Sequence, residues 1–151
     1  MVETFISKSE CETENIAFDL AKENKIKFGD IIALNGDLGA GKTAFTRGLV
    51  RFFSPDSRVT SPTFALVNEY KIKPANNKKI LHFDMYRINS HEDLLSIGFY
   101  DYLDESNQNI IVIEWFDKIA DSFDGNTVAV DIIQLNGNDD NERKINVDTR
   151  N

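Results

Sequence analysis

The chain has few residues of the kinds that cross-link small proteins. It contains one cysteine, Cys11, and 2 histidines among 151 residues. One cysteine cannot form an internal disulfide, and Cys11, His82 and His91 do not have the spacing of a zinc site. The sequence therefore excludes a disulfide scaffold and a structural zinc site, and we expect the Cys11 thiol to be inert.

Long apolar runs are also missing. The longest aliphatic runs, Ile31–Leu34 and Ile110–Ile113, are 4 residues each, whereas a helix needs roughly 20 apolar residues to cross a bilayer. The stretch 1–8 has no basic segment ahead of an apolar one, as a secretory signal would have. We therefore expect no membrane association and a cytoplasmic location.

An excess of basic residues is absent as well. The 17 Lys and Arg residues are outnumbered by 25 Asp and Glu residues, which gives a net charge of −8. Proteins that hold nucleic acid through phosphate contacts usually carry a basic face. The charge balance therefore argues against autonomous binding of RNA or DNA.

The chain contains enough apolar residues to form a hydrophobic core. Hydrophobic residues make up 41% of it, including 11 phenylalanines, while proline occurs only 3 times. A length of 151 residues is typical of one domain. We expect a single domain that spans residues 1–151.

Apolar periodicity predicts alternating strands and helices. The S-x-x-E segment that begins at Ser9 should start the first helix, and Ser90 should start a later one. The run from Asn109 to Glu114 is contiguously aliphatic, as in a strand buried on both faces. Strands are predicted at 2–7, 30–35, 64–71, 78–84 and 109–114, with a closing hairpin near 128–132 and 144–147. The predicted fold is α/β, with one mixed sheet and flanking helices.

A glycine-rich loop carries the strongest chemical signal. The segment Gly36-Asp37-Leu38-Gly39-Ala40-Gly41-Lys42-Thr43 matches G-x-x-x-x-G-K-[ST] at every fixed position. It lies between a predicted strand and a predicted helix, 43–53, whose Phe45, Leu49 and Phe52 should share one face. Amides in such a loop can surround an anion at the helix N-terminus. We predict a phosphate-binding loop.

The loop residues have defined roles in such a site. Glycines let backbone amides approach the phosphates, Lys42 reaches the β- and γ-phosphates, and the Thr43 hydroxyl ligates Mg²⁺. The predicted ligand is a nucleoside triphosphate with magnesium.

Two acids follow predicted strands and could complete the metal site. Glu114 ends one strand, and Asp84 ends another on the same face as His82. Either carboxylate could hold the metal, and Asp84 could instead polarise the attacking water. For His82 and Arg87 we favour structural roles. Trp115, the residue after Glu114, could pack in the core or take part in a surface role.

A third segment, Ser61-Pro62-Thr63, follows the loop helix. Its hydroxyls could sense the γ-phosphate. A plain proline turn explains the same residues equally well.

Taken in order, these segments resemble the bacterial tRNA threonylcarbamoyladenosine biosynthesis ATPase family, called TsaE or YjeE. The resemblance covers the chain from about Ser9 to Trp115. It is carried by five segments: Gly36 to Thr43, Ser61-Pro62-Thr63-Phe64, His82-Phe83-Asp84-Met85-Tyr86-Arg87, Ile97-Gly98-Phe99 and Ile113-Glu114-Trp115.

The resemblance implies roles for particular residues. Lys42 and Thr43 would bind ATP and Mg²⁺, Glu114 would complete the metal site, and Asp84 would serve hydrolysis. Trp115 would lie near the nucleotide, and the segment from Ser9 to Thr13 would help enclose the adenine. Family members commonly have a second threonine where this chain has Ala44, whose amide remains available. The expected nucleotide contacts are Ser9, Asp37, Leu38, Gly39, Ala40, Gly41, Lys42, Thr43, Ala44 and Trp115.

The resemblance also implies partners. The family acts with two other subunits that form the threonylcarbamoyl transferase, and its ATP hydrolysis is needed for that complex to turn over. The acidic charge fits an arrangement in which the partners handle the tRNA. ATPase activity of the isolated chain is expected to be weak.

Three other functions share the loop. A small-molecule kinase is the main alternative, although the chain has only 6 arginines and no long insertion for a lid over the phosphates. A Ras-type GTPase needs N-K-x-D, which neither Asn24-Lys25-Ile26-Lys27 nor Asn77-Lys78-Lys79-Ile80 provides. A binding module that does not hydrolyse ATP is the third.

Overall fold

The computed structural model describes residues 2–37, 39–60, 66–72, 78–122, 125–135 and 141–149. The expectations for Leu38, for the segment 61–63 and for the turn at 74–77 lie outside the described residues.

Within the described residues, 7 strands form one sheet in the order β1-β7-β6-β2-β5-β4-β3. The strands are β1 Val2–Ser7, β2 Ile31–Asn35, β3 Val67–Lys71, β4 Lys79–Asp84, β5 Ile110–Glu114, β6 Val128–Gln134 and β7 Arg143–Thr149. The helices are α1 Glu10–Lys22, α2 Lys42–Phe53, α3 His91–Ser96 and α4 Phe99–Asp104. Short 3-10 turns occupy Ser106–Gln108, Phe116–Lys118 and Ala120–Ser122. The predicted α/β class, with a mixed sheet and flanking helices, is confirmed.

The centre of the sheet is parallel. Strand β2 pairs in parallel with β5 and β6, and β4 pairs in parallel with β5, while β3, β7 and β1 add antiparallel pairs. The carboxyl ends of β2, β4 and β5 therefore meet at one edge of the sheet, where ligands bind in open α/β sheets. The pairing places Asp84 beside Glu114, and Glu114 beside Leu34.

Local signals in the sequence explain where helices begin. The Ser9 side chain accepts a hydrogen bond from the Glu12 amide at 3.1 Å, as the capping pattern predicts. Ser90 caps α3 in the same way by accepting from the Asp93 amide at 3.2 Å. Cys11, in the first turn of α1, is exposed. Helix α4 was not predicted, because its 6 residues are too few to show a helical period.

The core has two halves, one on each face of the sheet. On one face α1 and α2 pack through Leu20, Phe45 and Leu49 against sheet residues such as Ile32 and Val112. On the other face α3 and α4 cover a second cluster that includes Leu81, Phe83, Leu94, Phe99 and Ile113. The predicted buried strand β5 is buried along its whole length.

Phe52, which the spacing places on the same face of α2 as Phe45 and Leu49, differs from them in burial. It is 36% exposed, whereas Phe45 and Leu49 are fully buried. Its ring packs edge-on against Phe18 of α1 at 5.4 Å between centroids, while Phe53 packs against the core. The ring of Phe52 also packs edge-on against Phe53 of its own helix, at 4.9 Å between centroids.

Gly48 allows the two helices α1 and α2 to approach each other closely. A Cβ at this position would lie 2.1 Å from the carbonyl oxygen of Glu14 and 2.9 Å from the Cβ of Ala17. The helices would have to separate to accept any side chain.

We expect Gly48→Ala to destabilise the protein by about 1–3 kcal/mol through overpacking, even after the better helix propensity of alanine is counted. Thermal unfolding measures the effect, with Lys22→Ala on exposed α1 surface as the control. A variant that unfolds at the wild-type temperature would show that the helices do not approach so closely here.

Candidate nucleotide site

The glycine-rich loop leaves β2 at Gly36 and enters α2 at Lys42. Gly39 and Gly41 have φ angles of +78° and +112°, in the region that side-chain-bearing residues rarely adopt. A Cβ on Gly36 would lie 2.9 Å from the carbonyl oxygen of Ile132 and 3.2 Å from the Cβ of Ala40. Glycine is therefore required by backbone conformation at two positions and by close packing at the third.

The N-terminus of α2 is open. Gly41 occupies its cap position, and no side chain in the described part of the chain caps it. A Cβ on Gly39 or Gly41 would meet no atom within 4 Å, so there is free space beside this helix end. Unpartnered amides and the positive end of the helix dipole make it suited to an anion.

Lys42 lies in the first turn of α2 and is only 6% exposed. Its ammonium donates a 2.7 Å hydrogen bond to the carbonyl oxygen of Gly36 and lies 3.9 Å from Oε1 of Glu114. Burial lowers the pKa of Lys42, while the nearby carboxylates of Glu114, Asp84 and Asp37 oppose this shift. The geometry holds one buried cation at the base of the loop.

Glu114 ends β5 with 4% of its surface exposed. Its Oε2 is hydrogen-bonded to Nε2 of His82, whose side chain is fully buried. Its other oxygen, Oε1, is the one nearest Lys42. His82 thus fixes one oxygen of the carboxylate, which agrees with the structural role that we favoured for this histidine.

Asp84 ends β4 and is half-buried. Its Oδ1 accepts a 3.0 Å hydrogen bond from the backbone amide of Tyr86. This bond fixes the side chain while leaving Oδ2 for other partners. The structure therefore brings both predicted acids to the loop, on neighbouring strands.

Trp115 has a φ of +59°, which is uncommon for a residue with a large side chain. Its ring lies 4.1 Å from the Lys42 ammonium, measured to the ring centroid, and 5.1 Å from the ring of Tyr86. It also packs against the second core cluster. The side chain is thus both a packing residue and part of the loop's surroundings.

A cleft of about 340 Å³ joins these groups. It is lined by Glu10, Gly39, Gly41, Lys42, Thr43, Ala44, Arg47, Asp84, Glu114 and Trp115. Ser9 and Ala40 line a smaller hollow that shares Gly39 and Gly41 with the cleft. Asp37 faces a different depression, beside β6.

One residue of the cleft, Arg47, was not singled out from the sequence. Arg47 lies 4 residues after Thr43 on α2, a spacing that places both on one helix face and could have signalled it. In the structure Arg47 forms a 3.1 Å ion pair with Glu14 of α1. Glu10, in the first turn of α1, belongs to the segment from Ser9 to Thr13 that the resemblance placed near the adenine.

The residues of the cleft suit Mg²⁺ bound together with phosphates. The part of the chain that the structure describes has no group of three or more His, Cys, Asp or Glu side chains placed to hold a metal ion. Magnesium is commonly held by one or two protein oxygens, with phosphate and water oxygens completing its shell. Thr43 and Glu114 line the same cleft and offer such oxygens.

Among the described helices, none is long and apolar enough to span a bilayer.

A family model and named relatives of this chain agree on one family. Residues 7–145 match the family model described as threonylcarbamoyl adenosine biosynthesis protein TsaE. A Rickettsia conorii protein named tRNA threonylcarbamoyladenosine biosynthesis protein TsaE is 40% identical over 131 residues, covering 86% of this chain and 70% of that protein. An Aquifex aeolicus protein of the same name is 31% identical over 151 residues, covering 97% and 96% of the two chains.

A solved structure is similar as well. The crystal structure of Bacillus subtilis YdiB superposes with a TM-score of 0.72 at 28% sequence identity. The match covers 97% of this chain and 84% of the YdiB chain.

Proposed function

The chain belongs to the TsaE family of threonylcarbamoyl adenosine biosynthesis proteins, and on that basis we propose that it binds and hydrolyses Mg-ATP. Its ATPase activity would support the complex that makes N6-threonylcarbamoyladenosine in tRNA. The names of the relatives support the role in tRNA modification, and the residues of the site support the binding and hydrolysis of Mg-ATP.

One observation carries the proposal. The uncapped N-terminus of α2, the Lys42 ammonium and the carboxylates of Asp84 and Glu114 all face one cleft. The amides and the cation suit a triphosphate, and the two acids beside them suit a metal and a water molecule.

The binding step would use the loop and its lysine. Amides of Gly39 and of Gly41 to Ala44 would surround the phosphates, and the Lys42 ammonium would exchange its contact with the Gly36 carbonyl for phosphate oxygens. Thr43 and Glu114 would hold Mg²⁺. The ion, when bound, neutralises charge on the β- and γ-phosphates.

Asp84 would act on the water. With Oδ1 held by the Tyr86 amide, Oδ2 can accept a hydrogen bond from a water molecule and orient it toward the γ-phosphate. Trp115 would cover Lys42 and limit access of bulk water on that side. Lower water content strengthens the attraction between Lys42 and the phosphates.

The proposed partners are the two other subunits of the threonylcarbamoyl transferase complex. The net charge of −8 disfavours direct contact with tRNA, so tRNA would be handled through those subunits. We also propose that the isolated chain hydrolyses ATP slowly, with the partners completing the site.

Phosphate release tests this function. The chain should release γ-phosphate from Mg-ATP slowly alone and faster when both partner subunits are present. A small metabolite that acquires the γ-phosphate, with little free phosphate formed, would replace the ATPase assignment with a kinase.

We expect Thr43→Ala and Glu114→Gln each to raise the magnesium concentration that gives half-maximal ATP binding by roughly tenfold or more. Glutamine retains a hydrogen-bonding group for His82 while removing the charge. Titrating Mg²⁺ at fixed ATP measures this midpoint. Glu92→Gln, at an exposed position of α3, is the control. If neither midpoint moves, Asp84 becomes the candidate metal ligand.

A further inference from the structure

The glycine-rich loop is contacted from β7 by Arg143, a residue that lies outside every motif found in the sequence. Arg143, the first residue of β7, donates from Nε to the carbonyl oxygen of Ala40 at 2.9 Å. It also donates from Nη2 to the carbonyl oxygen of Gly39 at 3.2 Å. One guanidinium therefore binds two consecutive carbonyls of a loop that is 103 residues away in the sequence.

From this geometry we infer that Arg143 is a positioning residue, which holds the loop in the conformation that receives phosphate. The inference rests on the proposed function, because it concerns how the same loop binds nucleotide. Arg143 also lines the smaller hollow beside the loop, but the role inferred here acts through the loop and not through a contact with the ligand.

The direction of the peptide groups gives the physical reason. The C=O and N–H of a trans peptide point to opposite sides. The carbonyl of Ala40 belongs to the peptide group that carries the Gly41 amide, so an arginine bound to that carbonyl turns the Gly41 N–H to the other side of the loop. That amide lies at the open N-terminus of α2, where phosphate would bind.

A contact from β7 adds to the loop's own bonds, in which the Ala40 amide donates to the Asp37 carbonyl oxygen at 3.0 Å. Gly39 and Gly41 have no side chains to pack, and the space where their Cβ atoms would be is empty. Glycine has the largest conformational entropy to lose. A planar guanidinium with fixed donors restrains two peptide groups together, which a single flexible ammonium cannot do.

The strand that carries Arg143 is itself held on both sides. In the sheet register Arg143 pairs with Gln134 of β6 and with Ser7 of β1. The backbone of Arg143 therefore has a fixed position in the sheet, and the hydrogen bonds from its side chain hold the loop relative to that position.

The test compares the affinities of Arg143→Gln, Arg143→Lys and the wild type for Mg-ATP and Mg-ADP by calorimetry. We expect Arg143→Gln to raise both dissociation constants by roughly tenfold or more, because hydrogen bonds from a charged group are lost from the loop. Mg-ATP and Mg-ADP should be affected equally, since the loop amides surround the phosphates that both ligands share. Arg143→Lys keeps the charge and should still lose several-fold in affinity.

Lys144→Gln is the matched control. It removes the same charge from the adjacent residue, whose side chain lies on the opposite face of β7, and it should bind both nucleotides like the wild type. Amide chemical shifts of the free protein give a second readout, in which Arg143→Gln should move the Gly41 amide signal and Lys144→Gln should not.

The outcomes separate this inference from the proposed function. Wild-type affinity in both Arg143 variants would overturn the inference and leave the function intact, whereas a wild type that binds no Mg-ATP would overturn the function. Wild-type affinity in Arg143→Lys alone would show that charge, and not the two-carbonyl contact, is what matters. If Arg143→Gln does not fold, Arg143→Lys decides the question.

Discussion

Lys42→Ala is expected to raise the dissociation constant for Mg-ATP by roughly 30-fold or more and to remove measurable ATP hydrolysis. Removing one partner of a buried charged contact, here the contact between the Lys42 ammonium and a bound phosphate, costs about 2–5 kcal/mol of binding free energy. Lys42 is the buried cation of the cleft, and its ammonium lies within reach of both the loop carbonyl and the Glu114 carboxylate. Calorimetry gives the affinity, and phosphate release gives the activity.

The fold should survive this substitution. Removing Lys42 takes one cation away from the buried Glu114 carboxylate, but that carboxylate keeps its hydrogen bond to His82, and burial already disfavours the charged form of Lys42 and lowers its pKa, so we expect only a modest loss of stability. Thermal unfolding near the wild-type temperature would confirm this, and Lys22→Ala controls for loss of a surface charge. Unchanged affinity and hydrolysis in a folded Lys42→Ala protein would remove the loop from the site.

Asp84→Asn should separate binding from turnover. An asparagine Oδ1 can still accept the hydrogen bond that the Tyr86 amide gives to Asp84 at 3.0 Å, so the side chain should keep its position. The charge that orients water is lost. Since a positioned base or water-orienting group typically contributes 10² to 10⁴-fold, we expect kcat to fall by roughly that range while the affinity for Mg-ATP changes little.

The measurement needs the partner subunits, so that hydrolysis by the wild type is fast enough to compare. Asp104→Asn, at the exposed end of α4, is the matched control. An Asp84→Asn protein that binds ATP normally and hydrolyses it at the wild-type rate would exclude Asp84 from the mechanism. Loss of binding together with loss of turnover would instead favour Asp84 as the metal ligand.

Much of the fold could be predicted because it depends on local patterns. The run Ile110–Ile113 is apolar on both faces and became the buried strand β5, and Ser9 started α1 through its own side chain. The exposure of Phe52 could not be predicted, since it depends on Phe18 of another helix. Helix α4 could not be predicted because it is shorter than two helical turns and begins after Gly98, which has no side chain to cap it.

The candidate site was only partly visible in the sequence. The loop Gly36 to Thr43 forms a contiguous motif, and the strand ends at Asp84 and Glu114 could be placed at one edge of the sheet. The contact from Arg143 could not, because it joins the first and last thirds of the chain through the order of the sheet. The bond between His82 and Glu114 depends in the same way on which strands are neighbours.

Binding of Mg-ATP in the loop at the N-terminus of α2 is the basis of the proposed function. It is tested by a titration with Mg-ATP in which solution NMR follows the backbone amide signals of the protein. We predict that the largest saturable shifts occur at Gly39, Gly41, Lys42 and Thr43, with smaller shifts at Glu114 and Trp115. Shifts that centre on another part of the chain, or no saturable shift at all, would show that Mg-ATP does not bind in this loop.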